Sequence, residues 1–555
     1  MKIVIIGSVA AGTSAAAKAR RNSEDAQITI YEKDRYISYS GCGLPYFIGG
    51  ESPDIDKLTP RNAKWFKERY NVDIKTGCEV LSVDTVHKTL KVLNLISSEE
   101  FSDSYDKLVI ATGSKPIKPE LDGINSGNVF TIKNPQNAID VDAFITENHA
   151  GCAVIIGGGY IGLEMAVALK ERQMDVTIIE QSSHIMPPMD DDMAAIVQSY
   201  LISKGINILT SSKVTGFQHK KGMAEAVMVE DRENISADLF IWSAGIKPEV
   251  ELAKNMGVKL GETGAIEVDN RMRTNLPDVY AVGDCAQAYS LITGKPLYRP
   301  LGSTANKMGR IAGDVITGGN LEFKGVLGTG IFKIFELSAA MTGLTEKEAR
   351  KLNYDIEVIH NIKPNIPEYY PGSTEMTIKA VADRKTERLI GVQIVGGGGV
   401  DKRIDVFVTA ITYGAKAGDL FHLDLAYAPP FSTTKDPVHY TGMILDNALG
   451  RGRKIMTAHE LIERMNAGEK ITIIDVRGKN DRDKGYIEGS FHIPLQKLRS
   501  ELTNLNKDDV IVVYCNKGVT GNAAQNVLLN HGFEKVYNLS GGHNSYKIAA
   551  RGQGA

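Results

Sequence analysis

Two apolar runs, residues 2–6 and 153–156, each lead into a glycine-rich turn and a segment with helical character. Runs that are apolar without interruption are typical of parallel strands buried on both faces of a sheet. A second apolar run follows each segment, at 28–31 and 176–179, and ends in Glu32 and Glu180 respectively. The pattern therefore predicts two strand–turn–helix–strand–acid units of the kind that binds dinucleotides.

The two glycine turns differ in how completely they match the dinucleotide-binding pattern. Gly157, Gly159 and Gly162 complete a G-x-G-x-x-G turn in the second unit, whereas Val9 replaces the middle glycine in the first. A chance glycine turn therefore stays open for the first unit. In both units the helix N-terminus offers unpaired N–H groups to a pyrophosphate, and the terminal acid can accept from ribose hydroxyls. An acid at the second site would repel a 2′-phosphate, so NADH is favoured over NADPH.

Further patterns extend the fold prediction. Strands over 332–335, 376–381 and 389–395 and helices over 402–413 and 437–448 indicate an α+β domain, and the pattern restarts after a polar segment near 450. We predict an α/β protein with two Rossmann-like dinucleotide-binding domains, an α+β domain and a C-terminal α/β domain. The predicted bounds are 1–149, 150–270, 271–324, 325–449, a linker at 450–456, and 457–555.

Composition narrows the functional class. The 555 residues are too many for one core. A net charge of -3 gives no indication of nucleic-acid or anionic-membrane partners. The five cysteines are scattered without a C-x-x-C pair, so we predict neither a metal site nor a disulfide framework. With no signal-peptide pattern and no apolar run near ~18 residues, a cytoplasmic protein without a membrane partner is expected.

Candidate chemistry centres on Cys42, which lies between two glycines in the segment 38–46. A lone cysteine is often only a small buried residue, and this alternative stays open. A reactive role needs the thiolate, which a nearby helix N-terminus can favour.

Two later segments carry a resemblance to a family. Residues 105–116 contain a buried strand ending in Thr112–Gly113, and residues 275–286 contain one ending in Gly283–Asp284. They resemble the flavin-binding signatures of the two-dinucleotide flavoprotein disulfide reductases. The resemblance implies FAD on the first unit, with Asp284 on the ribityl chain; a helix N-cap is its alternative role. The cofactor-binding residues implied are Gly7, Ala10, Ala11, Gly12, Glu32, Lys33, Val80, Ala111, Thr112, Gly113, Gly157, Gly159, Tyr160, Ile161, Gly162, Glu164, Glu180, Gly245, Gly283, Asp284 and Ala305.

The single cysteine resembles one branch of that family: coenzyme A disulfide reductase, NADH oxidase and NADH peroxidase. The run Gly-Cys-Gly-Leu-Pro-Tyr-Phe-Ile-Gly-Gly is similar to the coenzyme A disulfide reductase loop, although Gly41 stands where that family usually has Asn. No histidine occurs in residues 1–52, which weakens the oxidase and peroxidase alternatives. The resemblance also implies that Glu164 pairs with a lysine near the nicotinamide; a solvated helix charge is the alternative.

Coenzyme A, as ligand or substrate, is implied by the same resemblance. Its binding residues are predicted to be Lys18, Arg20, Arg21, Ser38, Arg61 and Lys64. For the first three, which lie on one predicted helix, a solvated basic helix end is the alternative. Residues 325–450 resemble the family's dimerisation domain. There Tyr370 (or Tyr369) and Tyr427 would reach the partner subunit's cysteine and donate protons to the departing thiolate, which makes a homodimer necessary.

The last hundred residues resemble a rhodanese domain. Cys515 follows a buried strand and opens a short loop whose backbone N–H groups can stabilise a thiolate or persulfide, and Lys517 adds a positive charge. A phosphate-binding loop is the functional rival, and a relict loop with an incidental cysteine is the other alternative.

Together these features predict an NADH-dependent reductase of coenzyme A persulfide, polysulfide or coenzyme A disulfide. Cys42 would cleave the S–S bond and Cys515 would handle sulfur. Three alternatives stay open: a plain coenzyme A disulfide reductase with an inert appendage, an NADH oxidase or peroxidase, and a redox-sensing flavoprotein.

Overall fold

The computed structural model describes residues 1–52 and 54–552, with the side chains of 551 and 552 outside the description. By internal packing the chain forms two units. The first comprises Met1–Ser183 and Gly205–Val326, and the second comprises His184–Lys204 and the described residues from Leu327 onward. Residues 184–204 thus pack outside the predicted 150–270 domain. None of the helices in the described ranges is long and apolar enough to span a membrane.

The first unit begins with a five-stranded parallel sheet. In spatial order its strands are Val279–Ala281, Lys107–Ile110, Lys2–Ile6, Gln27–Glu32 and Asp73–Thr76. The helix Ala11–Asn22 packs closely on Gly302–Ile316, since a Cβ on Gly309 would lie 2.2 Å from the Ala11 carbonyl oxygen. The smaller elements around this sheet are the 3₁₀ turn Gly41–Gly43, the helices Leu44–Ile48, Ile55–Leu58 and Ala63–Tyr70, and the antiparallel strands Cys78–Asp84, Thr89–Asn94 and Glu100–Ser104.

A second parallel sheet repeats the arrangement. Its strands, in spatial order, are Asn207–Leu209, Asp175–Ile179, Cys152–Ile156, Leu239–Trp242 and Val129–Phe130. The elements around it are the helices Pro135–Glu147 and Tyr160–Glu171 and the strands Ser114–Pro116, Val214–Lys220, Met223–Val229, Ile235–Ser236 and Ile246–Pro248. The helix Glu251–Asn255, the 3₁₀ turn Gly283–Cys285 and the strands Ala288–Tyr289 and Pro296–Leu297 pack instead on the core of the first sheet. Both dinucleotide-binding folds are therefore confirmed.

The second unit contains a five-stranded antiparallel sheet. Its strands, in spatial order, are Gly330–Ile334, Leu337–Gly343, Leu389–Gly396, Glu375–Asp383 and Ile356–Pro364. Its helices are Asp191–Ser203, Glu346–Lys351, Val400–Thr412 and Pro437–Gly450, with a 3₁₀ turn at Ala417–His422. The predicted α+β domain is confirmed, and two of its strands, Leu337–Gly343 and Ile356–Pro364, were not anticipated.

A five-stranded parallel sheet completes the second unit. Its strands, in spatial order, are Ile455–Met456, Val536–Leu539, Val510–Tyr514, Ile471–Asp475 and Phe491–His492. Its helices are Ala458–Asn466, Lys479–Arg482, Leu495–Glu501, Val519–Asn530 and Gly542–Gly552, with a 3₁₀ turn at Leu502–Asn504. The predicted linker at 450–456 is corrected at both ends, because Gly450 ends a helix and Ile455–Met456 pairs with the sheet.

Candidate active site

The first glycine turn joins the strand Lys2–Ile6 to the helix Ala11–Asn22. Gly7 has φ +104°, and a Cβ there would lie 2.2 Å from the carbonyl oxygen of Ala111. No side chain caps the helix, so its first N–H groups are available to a ligand. Glu32 is buried and accepts from the Ser8 backbone N–H at 2.8 Å and its Oγ at 2.9 Å. Despite Val9, this turn has the geometry that a pyrophosphate needs.

A polar cluster lies beside this turn. Asp284 accepts a hydrogen bond from Ser114 Oγ at 3.1 Å, and Ser114 Oγ in turn accepts one from Lys133 Nζ at 3.2 Å. Burial raises the pKa of Asp284 and lowers the pKa of Lys133. The Tyr298 hydroxyl is buried without a hydrogen-bond partner among the described residues. Such groups suit a polyhydroxyl ligand, which fits the predicted ribityl contact; Asp284 lies in a 3₁₀ turn, so the N-cap alternative is wrong.

The second glycine turn is built in the same way. A Cβ on Gly157 would lie 2.6 Å from the Ser243 carbonyl oxygen, whereas one on Gly159 would meet nothing within 4 Å. The open side of Gly159 therefore leaves room for a ligand to approach the helix Tyr160–Glu171, which no side chain caps. Glu180 is buried and accepts from the Gly158 N–H at 2.7 Å. The residues present fit a nicotinamide nucleotide.

The other predicted cofactor residues fall in three places. Ala11, Gly283 and Ala305 meet, since a Cβ on Gly283 would lie 2.9 Å from Ala11 Cβ and 3.6 Å from Ala305 Cβ. Gly113 and Gly245 have positive φ, and Gly12 closes the first turn. The remaining residues lie in or next to the two glycine turns or the neighbouring strands of the first unit: Ala10, Lys33 (exposed), Val80 (buried), Ala111, Thr112, Tyr160, Ile161 and Gly162.

Cys42 lies in the 3₁₀ turn Gly41–Gly43, directly before the helix Leu44–Ile48. It is exposed, so the buried structural alternative is wrong. Although its surface is open, surrounding protein atoms displace much of its water. This desolvation, together with the carboxylates of Glu164 and Asp284, raises the pKa of Cys42. The structure thus brings groups from both nucleotide units within electrostatic reach of one thiol, and these groups favour its neutral form.

Glu164 pairs differently from expectation. No lysine pairs with Glu164 in the described part of the chain; instead, interaction with the Tyr46 hydroxyl lowers the pKa of Glu164 against the larger effect of burial. Burial raises the pKa of Glu164 to about 7 and the pKa of Tyr46 to about 12. Tyr46 is a site residue that sequence reasoning missed, although it belongs to the glycine-cysteine segment itself.

The predicted coenzyme A residues divide into buried and available groups. Arg20 is 5% exposed, and its guanidinium donates to the backbone carbonyls of residues 23, 24, 26, 70 and 71. Its assignment as a phosphate ligand is therefore wrong, because five carbonyls already satisfy it. Lys18 Nζ is 3.0 Å from Asp314 and is also engaged.

The other members of that set keep accessible surface. Arg21 donates to the Tyr70 hydroxyl at 3.0 Å, and Arg61 stacks over the Trp65 ring. Lys64 is exposed, and Ser38 has φ +48° and is partly exposed. In the second unit, Tyr370 and Tyr427 are 36% and 48% exposed, and Tyr369 is more exposed still. Ser38, Arg21, Arg61, Lys64 and the tyrosines stay candidates.

The Cys515 loop begins where the strand Val510–Tyr514 ends. Cys515 is buried, and its Sγ accepts a hydrogen bond from the Gly518 N–H at 3.1 Å. The loop closes at Gly518, whose φ of +94° suits glycine, and the helix Val519–Asn530 begins directly after it. Lys517 forms an ion pair with Glu375. The loop therefore donates to sulfur as the sequence predicts.

A buried network that the sequence analysis missed supports this loop. Arg477 contacts Asp475 through two nitrogens at 2.9 and 2.8 Å and donates to Asn516 at 3.1 Å. His543 donates its backbone N–H to the Cys515 carbonyl at 2.8 Å. Burial and the nearby Arg477 charge lower the pKa of His543 to about 4, so its ring is neutral. The Asp-Val-Arg run at the strand end was the available signal.

The family matches agree with this geometry. Residues 1–309 match the family described as pyridine nucleotide-disulphide oxidoreductase, 330–437 match its dimerisation domain, and 457–549 match the rhodanese-like domain. The chain belongs to the pyridine nucleotide-disulphide oxidoreductase family and carries a C-terminal rhodanese-like domain. It is an oxidoreductase of a family that uses FAD and NAD(P)H. The resemblances to this family and to the rhodanese domain are confirmed.

Particular relatives narrow the comparison. The CoA-dependent NAD(P)H sulfur oxidoreductase of Pyrococcus furiosus is 39% identical over 446 residues, 80% of this chain and 99% of that protein. The coenzyme A disulfide reductase of Staphylococcus haemolyticus is 32% identical and covers 80% and 98%. Among solved structures, reduced CoADR-RHD of Bacillus anthracis has TM-score 0.96 and 36% identity, covering 99% and 98%. The NAD-dependent persulfide reductase from A. fulgidus has TM-score 0.91 and 38% identity, covering 98% and 100%.

Proposed function

We propose that this protein is an NADH-dependent flavoprotein reductase of coenzyme A persulfide, polysulfide or coenzyme A disulfide. The observation that carries the proposal is the exposed thiol of Cys42, set among groups from two dinucleotide-binding folds in a chain that also has a loop donating a backbone N–H to the Cys515 thiol. Relatives named for CoA-dependent sulfur and disulfide reduction support the substrate class. The acidic Glu180 supports NADH over NADPH.

Cys42 is the nucleophile in this proposal. Its thiolate attacks the S–S bond of the substrate, a new bond forms to one sulfur, and the other leaves with the electron pair as a thiolate or sulfide. FAD, when bound, would supply from NADH the two electrons that break the mixed disulfide at Cys42, so that the attached sulfur leaves as a thiolate or sulfide and Cys42 returns to the thiolate. The glycine turns at Gly7 and Gly157 bind the two nucleotides, and Asp284 orients the flavin chain. The Tyr46–Glu164 pair, with a pKa of about 7 at the carboxyl, holds a proton for the leaving sulfur.

The dimerisation domain supports a homodimer, and we assign Tyr370 and Tyr427 to the Cys42 site of the partner subunit. Both phenols have accessible surface in the isolated chain. Tyr370→Phe and Tyr427→Phe should slow release of the thiolate product, and Tyr369→Phe tests the alternative assignment of the first tyrosine. Mixed dimers of a Cys42→Ser chain and a Tyr370→Phe/Tyr427→Phe chain should recover activity at one site. Mixed dimers no more active than the parent variants would remove the tyrosines from the partner's site.

Coenzyme A would be bound through the accessible basic residues Arg21, Arg61 and Lys64, and Ser38 lies near the thiol turn. Cys515 would carry sulfane sulfur for delivery to Cys42. A lone, unpaired thiol at each centre is suited to a reducing cytosol, where we place the reaction. If the Cys515 loop instead bound phosphate, its thiol would not react with sulfur donors.

The test compares NADH oxidation by wild type, Cys42→Ser and Cys515→Ser with coenzyme A disulfide, coenzyme A persulfide and polysulfide. Cys42→Ser should abolish all three reactions with FAD still bound, and retained turnover would contradict the proposal. Cys515→Ser should spare coenzyme A disulfide reduction and slow polysulfide use. If Cys515→Ser matches the wild-type rate with every substrate, the plain disulfide reductase is favoured. Oxygen consumption without any sulfur substrate would favour the oxidase, and slow turnover throughout would favour a redox sensor.

A further inference from the structure

The rhodanese-like domain packs its active loop against the antiparallel sheet of the dimerisation domain. The His360 backbone N–H donates to Ser540 Oγ at 2.6 Å, and a Cβ on Gly541 would lie 3.1 Å from His360 Cβ. The next residue, Gly542, is so close to the Cys515 carbonyl oxygen that a Cβ there would lie 2.2 Å away. The strand Ile356–Pro364 therefore runs beside the loop that carries the thiol.

Two lysines meet at this junction. Lys517, from the Cys515 loop, forms an ion pair with Glu375, which neutralises part of its charge. Glu375 pairs with Pro364 in the sheet, so the adjacent residue Lys363 lies at the same end of the strand pair.

Lys363 is partly buried and has a specific position. Its Nζ lies 3.9 Å from the centroid of the Tyr440 ring, and it has no carboxylate partner among the residues that the structure describes. Burial and the Lys517 charge lower its pKa, whereas the Cys515 sulfur raises it, which places Lys363 within electrostatic reach of that thiol. A cation held on an aromatic face without a counter-ion has its charge available to an anion.

The chemistry at Cys515 needs such a charge, because both reactants are anions. The Cys515 thiolate attacks the terminal sulfur of a polysulfide dianion. A bond forms between Sγ and that sulfur, the donor's terminal S–S bond breaks, and its electron pair leaves with the dianion shortened by one sulfur. Cys515 becomes a persulfide anion, and no external electron or proton is required.

We propose that Lys363, contributed by the dimerisation domain, is the anion-binding residue of the Cys515 site and makes that site selective for anionic sulfur donors. The inference rests on the proposed function of Cys515 as a sulfur carrier. The rhodanese-like site is therefore completed by the domain against which it packs, and its donor class is an inorganic or low-molecular-weight polysulfide or persulfide anion.

The test uses the full-length holoenzyme. Lys363→Met removes the charge, Lys363→Arg keeps it, and Lys385→Met is an exposed control in the same domain. Mass spectrometry of the Cys515 peptide measures persulfide formed from inorganic polysulfide. The same peptide reports alkylation by iodoacetate, an anion, and by iodoacetamide, its neutral counterpart.

Lys363→Met should slow polysulfide loading about tenfold, the factor that corresponds to 1.4 kcal/mol. It should also lower the iodoacetate-to-iodoacetamide ratio at Cys515, while Lys363→Arg and Lys385→Met match wild type. An unchanged ratio and loading rate in Lys363→Met, or an equal loss with both alkylating reagents, would overturn the proposal. NADH-dependent reduction of coenzyme A disulfide by wild type, followed in parallel, tests the Cys42 function separately.

Discussion

The buried ammonium of Lys379 fixes the helix Asp191–Ser203 against the antiparallel sheet. Its Nζ lies 3.0 Å from Asp192, 3.1 Å from Asp190 and 2.8 Å from Glu346, and its side chain is 1% exposed. Burial alone would lower the pKa of Lys379, but the three carboxylates outweigh it and raise the pKa. The cluster is therefore stable only while the cation is present.

Lys379→Met should leave the buried Asp190 without a cation, whereas Asp192 keeps His360 and Glu346 keeps Arg350. Removing one member of a buried ion pair costs about 3–5 kcal/mol, since the remaining charge is uncompensated. At 1.36 kcal/mol per factor of ten, opening of this helix should become roughly 150- to 5,000-fold more frequent. Hydrogen exchange of peptides covering residues 191–203, read by mass spectrometry, measures this directly.

Two controls sharpen the measurement. Lys385→Met, at an exposed turn, should leave exchange unchanged. Adding Asp190→Asn to Lys379→Met removes the carboxylate charge that is left without a cation and should restore part of the protection. An increase of less than about fivefold in Lys379→Met would refute the reasoning, because it corresponds to under about 1 kcal/mol.

Three further predictions follow from the site. Because the Glu164 carboxylate forms above its pKa of about 7 and disfavours the Cys42 thiolate, Glu164→Gln should speed alkylation of Cys42 by iodoacetamide at pH 8 and change little at pH 6. Gly157→Ala should abolish NADH-dependent activity by backbone collision, whereas Gly159→Ala should fold normally and raise the KM for NADH; similar thermal unfolding of both would contradict this. Arg477→Lys should lose the bidentate pairing with the buried Asp475 and lower the free energy of unfolding by about 2 kcal/mol, measured by denaturant unfolding of the full protein.

The active-site residues illustrate where sequence reasoning succeeds. Both glycine turns, the exposed Cys42 and the Cys515 loop lie where the pattern predicts, because each depends on a few consecutive residues. The imperfect fingerprint at Val9 still gives a turn closed by Gly7 and Gly12, since the tight contacts involve only those glycines and the neighbouring strand.

The errors concern long side chains. Arg20 lies at a basic helix end, where the sequence suggests a ligand contact, but the chain near residues 70 and 71 brings carbonyls that surround it. Glu164 was expected to meet a lysine and instead meets Tyr46. In each case a long side chain interacts with a segment that is remote in the sequence, and periodicity carries no information about that partner.

By itself the sequence determined the buried parallel strands, the helices that follow the glycine turns, those turns themselves and the two cysteine-bearing loops, because apolar periodicity and backbone permissiveness are local properties. Only the tertiary structure decided that Lys363 lies by Cys515, that Lys379 unites three carboxylates, and that the helix Asp191–Ser203 packs in the second unit. The physical reason is that charge pairing and burial depend on which remote segments meet, and packing of the whole chain sets those meetings.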